Sequence, residues 1–313
     1  MSSWATMNPN IGELAALLTA MCYSISSIFF TVAGRKFGPA VSNRVRLVVA
    51  ILLLCSVHWL IYGTPLPVNA EVERWFWLGI SGIVGLAIGD LFLFKAYISM
   101  GPRIGLLFLS LAPAIATLLA WVFLGETLSV GSIFGIILTL AGITWVVLVS
   151  NSRSETQQTV ERSIASRIDA KGVLAGLIAA SGQALGVVLA KNGLKGNFPA
   201  LSANVIRMSA AFLAFWLVTI LQRQVVSTIQ RVKDQRSGMV YILGGALFGP
   251  LIGVSLSLFA IQNTSIGIAS TIIALPPIFL LPIGHFVFKE KISWQAVTGT
   301  IVAVTGVAML FWL

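Results

Sequence analysis

Read for apolar and polar positions alone, the chain breaks into ten apolar runs separated by mostly short polar connections. Their approximate limits are 11–33, 41–62, 75–98, 103–124, 130–150, 171–193, 200–221, 238–260, 266–288 and 294–313. A helix of ~20 apolar residues spans the ~30 Å hydrocarbon core of a bilayer, whereas barrel strands would read as alternating segments of about ten residues. The runs are continuous, so the pattern predicts ten transmembrane α-helices. The longest polar stretch, "SNSRSETQQTVERSIASRIDAK" at residues 150–171, carries both charge signs and predicts a solvated linker. The expected organisation is therefore a five-helix unit over 1–150, a linker over 151–170 and a second five-helix unit over 171–313.

The two units repeat one another. "GPAVSNRVR" resembles "FPALSANVIR": Pro39 matches Pro199 at an offset of 160, and Asn43 and Arg46 match Asn204 and Arg207 at 161. Beyond these the offset settles at 164, pairing Gly85 and Gly89 with Gly249 and Gly253, Pro113 with Pro277, Glu126 with Glu290, and Gly135 and Gly142 with Gly299 and Gly306. Matches that include Asn, Arg, Pro and Glu at constant spacing point to an internal duplication rather than chance likeness of apolar sequence. An odd number of helices per unit makes the second enter the membrane from the opposite side. Inverted repeats of this kind characterise secondary transporters, whose binding sites lie near the midplane between the repeats.

Composition agrees with the pattern. The chain of 313 residues is 57% hydrophobic and 10% charged, against ~25% charged for an ordinary soluble domain. The net charge of +10 is loop-borne, as membrane topology requires, so no nucleic acid is expected as a partner. Cys22 and Cys55 lie inside apolar runs without a CxxC or a cysteine–histidine cluster, which predicts neither metal nor redox chemistry. No basic residue precedes Arg35, so the first run reads as a retained helix, not a secretory signal. Without HExxH, GxSxG, paired aspartates or a Walker motif, no catalytic residue, cofactor or direct use of ATP is expected.

Ionisable groups inside spans are functional candidates. Arg207 sits about seven residues into its span, roughly 10 Å deep at ~1.5 Å per residue. The others are Asp90 and Lys95 in the third span, Lys191 near the end of the sixth, Arg46 in the second and His285 in the ninth; His58, near the end of the second, reads as interfacial. Asp90 and Lys95 are five apart and do not share a helix face, so Asp90 needs a partner from another helix, with Arg207 and Lys191 the first choices, or a proton. Excess positive charge favours an anion or a carboxylate-bearing zwitterion, provided that Arg46 and Lys191 do not snorkel to the interface. The Asn-x-x-Arg elements serve either to fix helix entry or to line the path. Glycines spaced by four and by seven put small residues on one face, for static packing or for faces that slide; in the last helices they are compatible with a homodimer. Prolines within spans suit kinked, cavity-forming helices or static kinks.

Two segments carry a resemblance to a known family: "GPRIGLLFLSLAPAIATLLAWVFLGETLSVGSIFGIILTLAGI" and "TSIGIASTIIALPPIFLLPIGHFVFKEKISWQAVTGTIVAVTGV". Each has a proline-containing helix, a glutamate in the short turn and a last helix with glycines seven apart. Nearly the whole chain resembles the EamA family of the drug/metabolite transporter superfamily. The resemblance implies ten helices and movement of small metabolites, often outward. Lys191 resembles a lysine that many members carry at the end of the sixth helix. Small multidrug-resistance transporters, four-helix relatives, carry a proton-coupling glutamate eight residues before that lysine. Here the place is held by Gln183, and by Tyr23 in the first half. The missing carboxylate argues against export of cationic drugs by that mechanism and leaves neutral hydrogen bonding to substrate, or between helices, for Gln183 and Tyr23.

Charge also predicts orientation. Connections 1–2, 3–4, 5–6, 7–8 and 9–10 hold Arg35, Lys36, Arg44, Arg103, Arg153, Arg162, Arg167, Lys171, Arg223, Arg231, Lys233, Arg236, Lys289 and Lys291; the other side holds Arg74, Lys191 and Lys195. The positive-inside rule places the first set in the cytoplasm and both termini outside, whereas ten-helix relatives usually have both termini inside. The expectation is a multi-pass protein of the cell (inner) membrane. The function expected is that of a secondary exporter of small metabolites such as amino acids or other carboxylate-bearing or anionic solutes, with Tyr23, Asp90, Lys95, Gln183, Lys191, Arg207 and His285 as pathway candidates and a proton as the candidate coupling ion. A membrane scaffold without transport activity, or an exporter of cationic compounds, are the alternatives.

Overall fold

The computed structural model describes residues 10–115, 118–119, 130–156, 170–196, 198–263, 269, 272–280, 283 and 294–312. Among these the elements are all helical: α1 (Asn10–Phe37), α2 (Pro39–Tyr62), α3 (Val72–Ser81), α4 (Asp90–Leu109), α5 (Val130–Thr156), α6 (Ala170–Gly193), α7 (Ala200–Leu221), α8 (Val225–Asp234), α9 (Gly238–Ala246), α10 (Val254–Asn263) and α11 (Trp294–Trp312). Six helical runs among the described residues are long and apolar enough to cross a membrane, and Ile133–Val146 and Val297–Met309 add shorter apolar stretches. Most of the ninth expected span and the end of the fourth lie outside the described residues.

Local chemistry sets the helix limits. Pro39, whose missing N–H costs nothing in a first turn, opens α2 after Gly38 at φ 84°. Gly63 closes it in the left-handed region, its N–H donating to Trp59 O at 2.8 Å. Val72–Leu109 holds the third expected span and the start of the fourth, which meet at a kink at Gly101, where φ is 80° and ψ 165°, just before Pro102. Residues 222–237, expected as a loop, contain the amphipathic helix α8. Buried Arg44 pins it, with Nη1 donating to Thr228 Oγ1 at 2.8 Å and Nη2 to Gln224 Oε1.

Two π-helical segments interrupt the spans. Gly82–Gly89 joins α3 to α4, and Leu247–Gly253 joins α9 to α10. Their ends have the same wide hydrogen bond: Asp90 N–H donates to Gly85 O, and Val254 N–H to Gly249 O, each five residues back. Such turns recur at functional sites in helices.

The first helix of each half packs against the π segment of the other at matching glycines. A Cβ on Gly182 or Gly186 of α6 would come 3.0 Å from Gly89 Cα or Gly85 Cα. A Cβ on Gly249 or Gly253 would come 2.5 Å from Ser26 Oγ or 2.7 Å from the Tyr23 ring. Leu47, Ala50 and Leu54 of α2 meet Val205, Met208 and Ala211 of α7 in a shared core. The glycines spaced by seven serve contacts within the chain. A Cβ on Gly142 of α5 would lie 2.4 Å from Ala303 N of α11, and one on Gly306 would lie 2.4 Å from Thr139 N. Leu52, Leu60, Phe76, Leu213 and Leu221 stay exposed, as lipid-facing positions do.

Candidate functional site

A cavity of about 100 Å3 lies among helices of both halves. Its apolar wall includes Phe30, Leu93, Phe94 and Leu106, and Gly249 and Pro250 of the second π segment close it with Val254 at the start of α10. Its polar groups are Tyr23, Ser26, Arg46, Asp90, Tyr97 and Gln183.

Asp90 is the hub. It begins α4 at the end of the first π segment, and its carboxylate takes Arg46 Nη1 at 2.6 Å and Gln183 Nε2 at 2.6 Å. Gln183 also donates to Gly85 O at 3.3 Å. Arg46 is further held by Asn43 Oδ1 at 3.1 Å and Leu86 O at 2.7 Å, with its guanidinium 5.5 Å from the Phe94 ring centroid. Asn43 in turn donates to Ala87 O at 3.0 Å. The Asn-x-x-Arg element of α2 thus fastens the π segment through its carbonyls and presents the arginine to the carboxylate. In the second half Asn204 repeats the fastening, donating to Pro250 O at 2.8 Å and Ser255 Oγ at 3.1 Å.

Two copies of one family's pattern cover the chain: residues 10–148 and 170–312 each match the model of the EamA-like transporter family. The chain belongs to that family. This EamA-like protein is accordingly a multi-pass membrane protein, a transporter of the drug/metabolite type. Solved structures share its fold. One, described as "Crystal structure of protein", is 15% identical and superposes with a TM-score of 0.65 over 95% of each chain. No curated protein matches the sequence.

Tyr23, Asp90 and Gln183 come together at the cavity of the EamA-like chain, and Tyr23 hydroxyl donates to Ser257 Oγ at 3.4 Å. Lys95 and Lys191 do not join them. Both are exposed, and Lys95 Nζ sits 4.2 Å from the Phe92 ring centroid, on the outer side of the third span. His285 lies outside the described residues. The partner of Asp90 is Arg46, not Arg207 or Lys191. Arg46 is buried and bonded, so it does not snorkel. His58 is buried too: Nδ1 donates to Thr64 O at 2.6 Å, and Nε2 is 3.0 Å from Ser202 Oγ, so it joins the end of α2 to α7. Ser26 and Tyr97 escaped the sequence reading, and for Asn43 it gave no partner in the π segment. Only the recurrence of asparagine three residues before each arginine signalled the last.

Proposed function

We propose that this EamA-like protein is a secondary transporter that moves small carboxylate-bearing or anionic metabolites, such as amino acids, outward across the cell membrane. Two inverted five-helix repeats would expose the cavity alternately to either side, without ATP. The observation that carries the reading is the buried charge in and around the cavity. Arg46 and Asp90 cancel, and Arg207 adds one positive charge in a region of low dielectric, where an anion is favoured over a cation. With Lys95 and Lys191 exposed, the excess is smaller than the sequence alone suggests, and its sign is unchanged.

Asp90 is the natural coupling group, because a carboxylate held between a guanidinium and an amide can exchange its ion pair for a proton as the cavity opens. In that case Asp90→Asn removes the dependence of flux on a pH gradient; unchanged coupling assigns that role elsewhere. The reading as a whole is tested with purified protein in proteoliposomes against a panel of amino acids, organic acids, phosphorylated metabolites and cationic drugs. Flux restricted to the anionic or zwitterionic members is expected. Flux of cations alone overturns the substrate class, and no flux of any solute favours a scaffold.

A further inference from the structure

The two halves carry the same Asn-x-x-Arg element, yet the two arginines meet different surroundings. Arg46 has Asp90 at 2.6 Å and two further acceptors. Arg207 is equally buried, at 4% exposure, and makes no hydrogen bond or ion pair with a described residue; its Nε is enclosed and unpartnered. The asymmetry has one cause in the sequence. The position in the second half that corresponds to Asp90, at the offset of 164 that pairs Gly85 with Gly249 and Gly89 with Gly253, is Val254. Val254 follows its π segment as Asp90 follows the first. It lines the cavity and packs with Ala203 and Ile206, the latter next to Arg207 on α7. The guanidinium itself reaches towards the same region. It stands just behind the cavity wall, where its Nη2 would lie 3.6 Å from a Cβ on Gly85, the neighbour of the lining residue Leu86.

A buried guanidinium is retained where something pairs with it. We propose that Arg207 is the anchor for the carboxylate of the transported solute, which takes in the second half the place that the Asp90 side chain holds in the first. The planar fork of an arginine matches a carboxylate bidentately, and the side of the cavity formed by Val254 and Pro250 is apolar, which leaves room for the rest of a small organic acid. This inference rests on the transport reading.

The test uses the purified full-length chain, with thermal unfolding in detergent as the binding readout. Lactate, succinate and L-leucine are compared with lactamide and L-leucinamide, and with sodium chloride at matched ionic strength. At least one carboxylate is expected to raise the unfolding midpoint, with its amide and chloride inert. Arg207→Gln should weaken that carboxylate at least tenfold, and Arg207→Lys should weaken it less. Val254→Asp keeps the experiment decisive if Arg207→Gln does not fold. It supplies the missing carboxylate from within the chain, so it should raise the midpoint of the unliganded protein and weaken the solute at least tenfold. Equal binding by wild type and Val254→Asp overturns the proposal, as does stabilisation by chloride equal to that by every carboxylate, or no stabilisation by any. Flux separates the two readings. Carboxylate flux undiminished in Val254→Asp removes the anchor and keeps the transporter; binding that depends on Arg207 without flux keeps the anchor and removes the transporter.

Discussion

Asp90→Asn is the sharpest perturbation of the cavity wall, because it removes a charge and little else. The carboxylate lies 2.6 Å from Arg46 Nη1, and the two side chains are 9% and 3% exposed. Deleting one partner of a buried ion pair costs about 3–5 kcal/mol, since the other charge stays behind without compensation. Arg46 keeps Asn43 Oδ1 and Leu86 O, and the new amide still offers one acceptor oxygen. The loss therefore falls at the low end, about 3 kcal/mol, or roughly a hundredfold in the folded-to-unfolded ratio. The assay is reversible unfolding in mixed micelles of a mild detergent and dodecyl sulfate, following helix content. A double variant, Arg46→Gln with Asp90→Asn, completes the argument. Once both charges are gone the orphaned guanidinium disappears, so the double variant should lose less than the sum of its singles, although the acceptors Asn43 Oδ1 and Leu86 O are left behind. A loss below about 0.5 kcal/mol for Asp90→Asn, or a double variant equal to the sum of its singles, would show that the pair is not coupled as the geometry requires.

Asn204→Ala deletes donors to Pro250 O and Ser255 Oγ and should cost about 1–3 kcal/mol in the same assay, the penalty of acceptors left buried; an unchanged midpoint refutes its fastening role. Gly142→Ala places a Cβ 2.4 Å from the Ala303 backbone nitrogen and 2.7 Å from its Cα, so α5 and α11 must separate, and thermal stability should fall. A wild-type midpoint would mean that the two helices do not meet as described. Arg44→Gln frees α8 from α2 by removing the bonds to Thr228 and Gln224. Faster amide exchange confined to 225–234 is expected, and uniform exchange across the chain counts against the anchor. A reporter fused to the C-terminus should be active only outside the cytoplasm if the Lys/Arg bias sets orientation, and cytoplasmic activity rejects it.

The helices were legible in the sequence because lipid leaves few alternatives: a continuous apolar run must satisfy its own backbone, and only a helix does so within one segment. Gly101 shows how little of the chain such a division needs. The apolar stretch on either side gave two spans, while the chain makes the division with one residue at positive φ before Pro102 and almost no interruption in helix. The fate of the lysines was not legible at all. Whether Lys95 points inward or outward depends on the rotation of its helix. That rotation is set by Gly85 and Gly89 meeting Gly182 and Gly186, so Asp90 faces α2 and α6, and Lys95, five residues on, faces away. Periodicity within one segment cannot supply such an angle; contacts between segments do.

The duplication carried more than either half. The offset of 161 singled out Arg46 and Arg207 as counterparts, but equal sequence positions do not entail equal environments. Arg46 became half of an ion pair because Asp90 follows the first π segment, and Arg207 did not because Val254 follows the second. With a carboxylate at 254, both arginines would be neutralised in place and no net charge would remain beside the cavity. A single divergent position thus converts a structural element, arginine and asparagine binding a widened helical turn, into an uncompensated cation beside the cavity. In a symmetric ancestor the two sites would be interchangeable across the membrane. In this chain they are not, and the half without the acid is the one in which the proposed solute carboxylate would complete the pair.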